Sequence, residues 1–341
     1  MNIKLGLPMN KIVTLAVAGI LASISLNATD LKGSGASFPY SVYQKWLKEY
    51  SKQTGIKVLY EKKGSSAGIK DAKARWVDFA GTDKPLSPEI LKKNGLYQFP
   101  SVVGSIVMGY NIPGKLNIKL SRTAITQIAM GKIKYWDDKL ISDENKQMNL
   151  PHEKLTFIHR TDGSGTTYNF TYYLSKSSEK WKKTYGAVKS LSWPGTQHIS
   201  GNKNSGVIAL LKQIPYAIGY IDYAVAVNNS ISMATLQNKD GYFIKPTLKA
   251  FQASSKKANL NANEDFYSII TDPNGKDSYP MVAATFILIP KEKSIMNKKV
   301  IDFYDWSYEH GQEIAKSLGF VPLPDELTKK VRKYWKDKGI K

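Results

Sequence analysis

The run Arg160-Thr161-Asp162-Gly163-Ser164-Gly165-Thr166-Thr167 gathers an arginine, a carboxylate, four hydroxyls and two glycines. Its chemistry is that of a pocket for a small oxyanion. Glycines let the backbone turn and expose its N–H groups, hydroxyls donate further hydrogen bonds, and the helix expected to begin here adds the positive end of its dipole. Arg160 supplies the countercharge in a fork suited to a tetrahedral anion. It stands out because only Arg75, Arg122 and Arg332 accompany it among 49 basic residues, the rest being lysine. Two roles stay open for each charged member: Arg160 binds a ligand or serves a structural ion pair, and Asp162 orients Arg160 or itself accepts a ligand proton.

Gly33-Ser34-Gly35-Ala36-Ser37-Phe38-Pro39 and Gly64-Ser65-Ser66-Ala67-Gly68 combine glycine, hydroxyl and a helix start in the same way. One such loop is ordinarily a turn. Three of them, each following a strand, fit the crevice that forms outside the carboxyl ends of strands in an open α/β sheet. Asp83 bears on which anion would sit there. A carboxylate repels fully ionised sulfate, yet it accepts a hydrogen bond from phosphate, which keeps a proton near neutral pH. Placed ahead of Lys84-Pro85, Asp83 also has the position of a turn cap.

The elements that must hold these loops alternate between short β-type runs and amphipathic helices, the order of α/β architecture. Residues 39–53 form the clearest helix, with Val42, Tyr43, Trp46, Leu47 and Tyr50 at helical spacing, Pro39 in the first turn and Gly55 beyond the end. Strands are expected at 56–60, 77–81, 101–110, 155–159, 217–220 and 283–289. Further helices are expected at 67–74, 124–133, 298–319 and 325–338. No internal repeat or low-complexity linker interrupts the chain.

Lys4 and Lys11 precede an uncharged run, residues 12–26, and small Ala28 is followed by polar Thr29-Asp30. This predicts a cleaved signal peptide over residues 1–28; an uncleaved anchor is the alternative, although the run is shorter than the roughly 20 residues that span a bilayer. Cysteine is absent, which removes disulfides, thiol catalysis, thiolate metal sites and a lipid-anchoring cysteine. A periplasmic location is expected. The net charge of +21 becomes +19 without Lys4 and Lys11. Because the lysines are dispersed rather than blocked, a solvated cationic surface is the reading, and nucleic acid is not an expected partner.

The rival to anion capture is a secreted phosphatase or other phosphoester hydrolase using Ser164 as nucleophile. Asp162 occupies the place of the first glycine in a Gly-x-Ser-x-Gly elbow, so that pattern fails. His152, His159, His198 and His310 are isolated, with no His-Glu-x-x-His pair. Neither Gly-Ser loop ends in Gly-Lys-Ser/Thr as a P-loop does. The expectation is a binding protein that is not an enzyme, with no metal and no cofactor.

The three loops, together with Val77-Asp78-Phe79-Ala80-Gly81-Thr82-Asp83-Lys84-Pro85-Leu86-Ser87, resemble motifs of the phosphate-binding subunit of bacterial phosphate ABC transporters. The similarity continues through Gly131-Lys132-Ile133-Lys134-Tyr135-Trp136-Asp137-Asp138, Ala217-Ile218-Gly219-Tyr220 and Thr285-Phe286-Ile287-Leu288-Ile289, nearly the whole mature chain. The resemblance implies a two-lobed α/β periplasmic binding protein of type II, a Venus-flytrap that closes on one dehydrated inorganic phosphate at its hinge cleft. Lobe 1 would comprise residues 29–103 plus 283–341, and lobe 2 residues 104–282. Carried over position by position, the phosphate ligands would be Ser37, Phe38 through its backbone N–H, Ser65, Asp83, Arg160, Asp162, Ser164, Gly165 and Thr166. Ser37 replaces a commoner threonine and Ala67 a frequent glycine. The implied partner is the membrane permease of a phosphate ABC transporter, and a monomer is expected.

Overall fold

Runs rich in β-branched and aromatic residues become strands, and the amphipathic stretches between them become helices, in the computed structural model, which describes residues 30–114 and 117–340. The signal peptide read at 1–28 lies outside the described residues. In chain order the strands are β1 (Leu31–Gly35), β2 (Val58–Lys62), β3 (Phe79–Thr82), β4 (Leu96–Tyr110), β5 (Lys119–Leu120), β6 (Thr156–Arg160), β7 (His198–Gly201), β8 (Ala217–Asp222), β9 (Ser232–Met233), β10 (Thr235–Gln237), β11 (Phe243–Ile244) and β12 (Val282–Pro290). The main sheet runs β2-β1-β3-β12-β4-β8-β6-β7 with β9 beside β4, and β11-β10-β5 form a small second sheet. β1 is parallel to β2 and β3, and β6 is parallel to β7 and β8. β4 and β12 run antiparallel to each other and to β8 and β3 respectively.

β4 ties the two halves together. Its residues 96–105 pair with β12 and its residues 106–110 with β8, so the partner changes between Ser105 and Ile106. Sequence alone predicts this strand only from Ser101, because Pro100 cannot donate to a ladder and argues against a central strand. The structure accommodates Pro100 opposite Phe286, at a register shift between Thr285 and Phe286. A bulge-like irregularity is where a sheet tolerates proline.

Each half carries parallel strand–helix units, and because β6 runs antiparallel to β1 the carboxyl ends of both sets of strands point toward the place where β4 changes partner. Helices Tyr40–Thr54 and Ser65–Lys73 follow β1 and β2, and helices Gly165–Ser177 and Lys203–Gln213 follow β6 and β7. Tyr40–Thr54 buries Val42, Tyr43, Trp46 and Tyr50 and stops at Gly55, whose φ of 73° is left-handed. Tyr43 lies 5.8 Å from Trp46 and 5.1 Å from Tyr60, and Tyr304 packs 5.8 Å from Phe79 and 5.6 Å from Phe99. These rings are core, as the helical spacing of Tyr43 and Trp46 predicts for those two. The other half centres on Trp193, which lies 5.1 Å from Phe157 and 5.8 Å from Tyr220.

Three differences from the sequence reading have physical causes. Gly33 to Gly35 belong to β1 rather than to a loop, and a Cβ on Gly68 would stand 2.5 Å from the Gly35 Cα, so helix Ser65–Lys73 packs on β1 at a distance that only glycine permits. The helix expected over 298–319 starts earlier and splits into Ser294–His310 and Gln312–Ser317. Gly311 marks the split, where its carbonyl accepts the Trp46 indole N–H at 2.9 Å. Finally, the turn Ala262–Glu264 and the residues after it lie against the C-terminal helix Asp325–Asp337. Asp265 accepts from Tyr334 at 2.7 Å and, through its carbonyl, from Gln98 at 2.9 Å. This piece of the segment 104–282 therefore packs on the half that contains β1 to β3.

Candidate anion-binding site

Arg160 is the last residue of β6, and its backbone N–H donates to the Tyr220 hydroxyl at 3.1 Å. Its side chain is buried. Nε and Nη2 donate to the two oxygens of Asp162 at 2.7 and 2.5 Å, and Nη1 donates to Asn204 Oδ1 at 2.6 Å. A guanidinium has five N–H bonds, so one on each terminal nitrogen remains without a protein acceptor among the described residues. Those two, one on each terminal nitrogen, are what the side chain has left to offer a tetrahedral anion. Asp162 also accepts the Lys203 N–H at 2.9 Å. Burial alone would raise its pKa, but the Arg160 hydrogen bonds and charge, with the Lys203 N–H, hold it below the ordinary value. Asp162 thus pairs with Arg160, one of the two roles its sequence position allows.

Asp83 stands on the opposite wall, just past the end of β3. It is fully buried, and its Oδ1 accepts from Thr285 at 2.7 Å. Ser65 Oγ lies 3.3 Å from Oδ2, accepts the Asp83 N–H at 3.3 Å and accepts the Gly165 N–H at 3.1 Å. Burial pushes the Asp83 carboxyl up to about 6, opposed by the Thr285 and Ser65 hydroxyls and by the Arg160 charge. Near neutral pH it is still mostly an acceptor, and one that a proton-bearing ligand would relieve.

The two walls touch. The Ser66 N–H donates to Gly163 O at 3.0 Å, and Asn169 Nδ2 donates to the Asp83 carbonyl at 2.7 Å. Such bonds make this a closed cleft. A Cβ on Gly165 would stand 2.5 Å from Ser65 Oγ and 2.6 Å from Asp83 Oδ2. Helix Gly165–Ser177 presents its N-terminus here, capped by Ser164, whose Oγ accepts the Thr167 N–H at 3.1 Å. That hydroxyl serves the helix, and no imidazole is bonded to it. His159 and His198 bond to each other at 3.0 Å instead.

Ser37 and Phe38 lie just beyond the end of β1, whose Gly35 pairs with Gly81 of β3, so they emerge beside Asp83. The Phe38 ring packs 6.1 Å from Phe320, leaving its backbone as the polar group available to the cleft. Ser37 Oγ and Thr166 Oγ1 are buried without a hydrogen-bond partner among the described residues. Unmatched buried hydroxyls are costly, and a ligand oxygen would match them. Sequence reasoning missed Asn204, Asp222, Thr285, Tyr220 and Asn169 as members of this cluster. Tyr220 and Thr285 lie in runs that carry the resemblance without being singled out, and Asn204 belongs to Gly201-Asn202-Lys203-Asn204, a further glycine-polar run entering a helix; Asn169 and Asp222 carried no signal.

A model of the PBP superfamily domain matches residues 22–309. The phosphate-binding protein PstS of Pasteurella multocida is 41% identical over 328 residues, covering 94% of each chain. The chain belongs to the PstS phosphate-binding proteins. Another PstS, from Methanocaldococcus jannaschii, is 35% identical and spans 88% of this chain and 84% of its own. Among solved structures, a high affinity periplasmic phosphate-binding protein bound with phosphate, PfluDING, superposes with a TM-score of 0.72 at 20% identity, covering 89% of this chain and 93% of that one. The PstS fold seen here is accordingly that of a two-lobed type II binding protein. These relatives are named for binding, not for catalysis.

Proposed function

We propose that this protein binds inorganic phosphate tightly in the periplasm and delivers it to the membrane permease of a phosphate ABC transporter. The observation that carries this reading is the pairing, in one closed cleft, of the two unclaimed Arg160 N–H bonds with the buried acceptor Asp83. Arg160 attracts any small oxyanion. Asp83 selects one that brings a proton, because it would otherwise face a bare negative charge. Ser37, the Phe38 N–H, Ser65, Ser164, Gly165 and Thr166 complete the ligand set, and Asp162 acts on phosphate through Arg160. Hydrogen bonds to a charged group are worth about 1.5–3 kcal/mol each, so several together offset the desolvation of phosphate. No cofactor takes part, and a phosphoester hydrolase is not supported.

The lobes we assign are residues 29–103 plus 283–341 and residues 104–282, supported by the change of partner along β4, with the turn Ala262–Glu264 and Asp265 of the second packing against the first. Contacts made only on closure are what allow ligand to favour the closed form, which the permease reads. The protein is taken to be exported by cleavage after Ala28 and to act as a monomer. N-terminal sequencing and the sedimentation mass of the mature protein test these two points.

Calorimetric titration with phosphate and with sulfate at several pH values tests the main reading. Stoichiometric phosphate uptake with little response to sulfate is expected, and equal affinity for the two would refute the role of Asp83. Arg160→Ala should abolish tight binding.

A further inference from the structure

Behind Arg160 runs a buried polar chain that phosphate contact does not require. Asn204 accepts from Arg160 Nη1 at 2.6 Å and, through its Nδ2, donates to Asp222 Oδ2 at 2.6 Å; Asp222 Oδ1 accepts the Val225 N–H at 2.8 Å. Arg160, Asn204 and Asp222 are 3%, 3% and 1% exposed, so no water corrects a mismatch in this chain. A carboxamide has one accepting and one donating end. An ionised carboxylate accepts at both oxygens. It therefore takes the amide N–H of Asn204 and leaves the carbonyl end to face the guanidinium.

We propose that Asn204 and Asp222 are positioning residues for the anion site: ionised Asp222 orients Asn204, Asn204 anchors the third edge of the Arg160 fork, and phosphate affinity falls when Asp222 takes up a proton. This rests on the assignment of Arg160 to phosphate. A proton on Oδ2 sets donor against donor at Asn204. If the amide turns over to relieve that clash, its NH2 meets Nη1 of Arg160, and the fork is left held at Asp162 alone. A proton on Oδ1 meets the Val225 N–H and is no better placed.

Asp222 can make this change near neutral pH. Burial pushes its carboxyl up to about 7; the Val225 N–H, the Arg160 charge and the Asn204 amide oppose the rise, and the Asp83 charge adds to it. Arg160 on β6 and Asp83 past β3 are the charged groups that act on it, and its partner on β4 is apolar Ile106. Repulsion between Asp222 and a bound anion has the opposite sign, but Arg160 joins both and offsets it.

Phosphate dissociation constants of the wild-type protein, Asn204→Ala, Asp222→Asn and the double variant across a pH series test the proposal, with thermal midpoints as the control for folding. Above about pH 8 each single variant should bind about tenfold more weakly, the value of a lost hydrogen bond to a charged group, and the double variant no worse than either. Below about pH 6 the variants and the wild type should converge, because Asp222 is then neutral in all that retain it. The titration of phosphate is shared by all four proteins and cancels in the ratio; that of Asp83, which feels the Asp222 charge, is shared by wild type and Asn204→Ala, so the pH dependence is read from that pair. Asn204→Ala keeps the Asp222 cap on Val225, so its deficit stands even if Asp222→Asn fails to fold. Additive losses, a ratio that does not vary with pH, or tighter binding by Asp222→Asn at high pH would each overturn the proposal. Unchanged affinity in Arg160→Ala would instead remove the reading beneath it, whereas a defective Arg160→Ala with unaffected Asn204→Ala and Asp222→Asn removes this inference alone.

Discussion

Replacing Gly165 by alanine separates closure from stability. Gly165 opens helix Gly165–Ser177 without a left-handed φ, so alanine suits its backbone, and the lower entropy of the unfolded chain should stabilise the open protein by about 0.4–1 kcal/mol. In the closed cleft the added methyl meets Ser65 Oγ at 2.5 Å and the Cβ and Oδ2 of Asp83 at 2.6 Å, where ordinary contact begins near 3.4 Å. The walls must part by about 0.9 Å at this point, the difference between those distances. The Gly165 N–H to Ser65 Oγ bond, at 3.1 Å, then stretches beyond hydrogen-bonding range, and the neighbouring Ser66 N–H to Gly163 O bond, at 3.0 Å, goes with it. At about 1 kcal/mol net for each, with the site itself loosened, phosphate affinity should fall at least about 30-fold. Titration calorimetry and urea melts of the ligand-free protein read the two effects separately. Wild-type affinity in a protein of unchanged or higher stability would show that the cleft does not hold its ligand by closing to this geometry.

Two further perturbations act on the walls themselves. Because burial raises the Asp83 carboxyl from 3.8 to about 6, the folded protein holds this proton more tightly than the unfolded chain does, so its contribution to stability is full below 3.8 and is lost as pH rises through about 6. Asp83→Asn should therefore stabilise the ligand-free protein by up to about 3 kcal/mol above neutral pH and by little near pH 4, while weakening selectivity against sulfate; equal urea midpoint shifts at both pH values would contradict this. Lys84 is half-buried, and its Nζ lies 4.6 Å from the centre of the Tyr168 ring on the opposite wall. Lys84→Met should weaken phosphate binding about two- to fivefold and reduce the salt dependence of the association rate, and stopped-flow rates with an unaltered salt slope would count against a steering role.

Much of this molecule is legible in its sequence where the signal is local. Helix Tyr40–Thr54 announces itself through its buried stripe and Gly55, and the strand ending at Arg160 through its apolar run. Glycine, hydroxyl and arginine at positions 160–167 specify an anion loop because backbone freedom, donors and charge fall within one turn of chain. Boundaries are less legible. Pro100 masks the first residues of β4, since its tolerance depends on an irregularity set by the partner strand, and Gly33 to Gly35 read as a loop because nothing local reveals that Gly68 packs on them.

What the residue types suggested by themselves was a site for a small oxyanion, from an arginine among lysines and three glycine-hydroxyl loops; that the anion brings a proton rested on the family resemblance, because Asp83 ahead of Lys84-Pro85 also has the position of a turn cap. Tertiary structure decided how each charge is spent. Asp162 is taken up by Arg160 two residues away, whereas Asp83 is held by Thr285 at a separation of 202 residues and Ser65 meets the Gly165 N–H at a separation of 100. The chain through Asn204 and Asp222 belongs to the same class. Pairings of that range follow from which strand ends the sheet order brings together, and burial then fixes which carboxylate is a partner and which remains an acceptor.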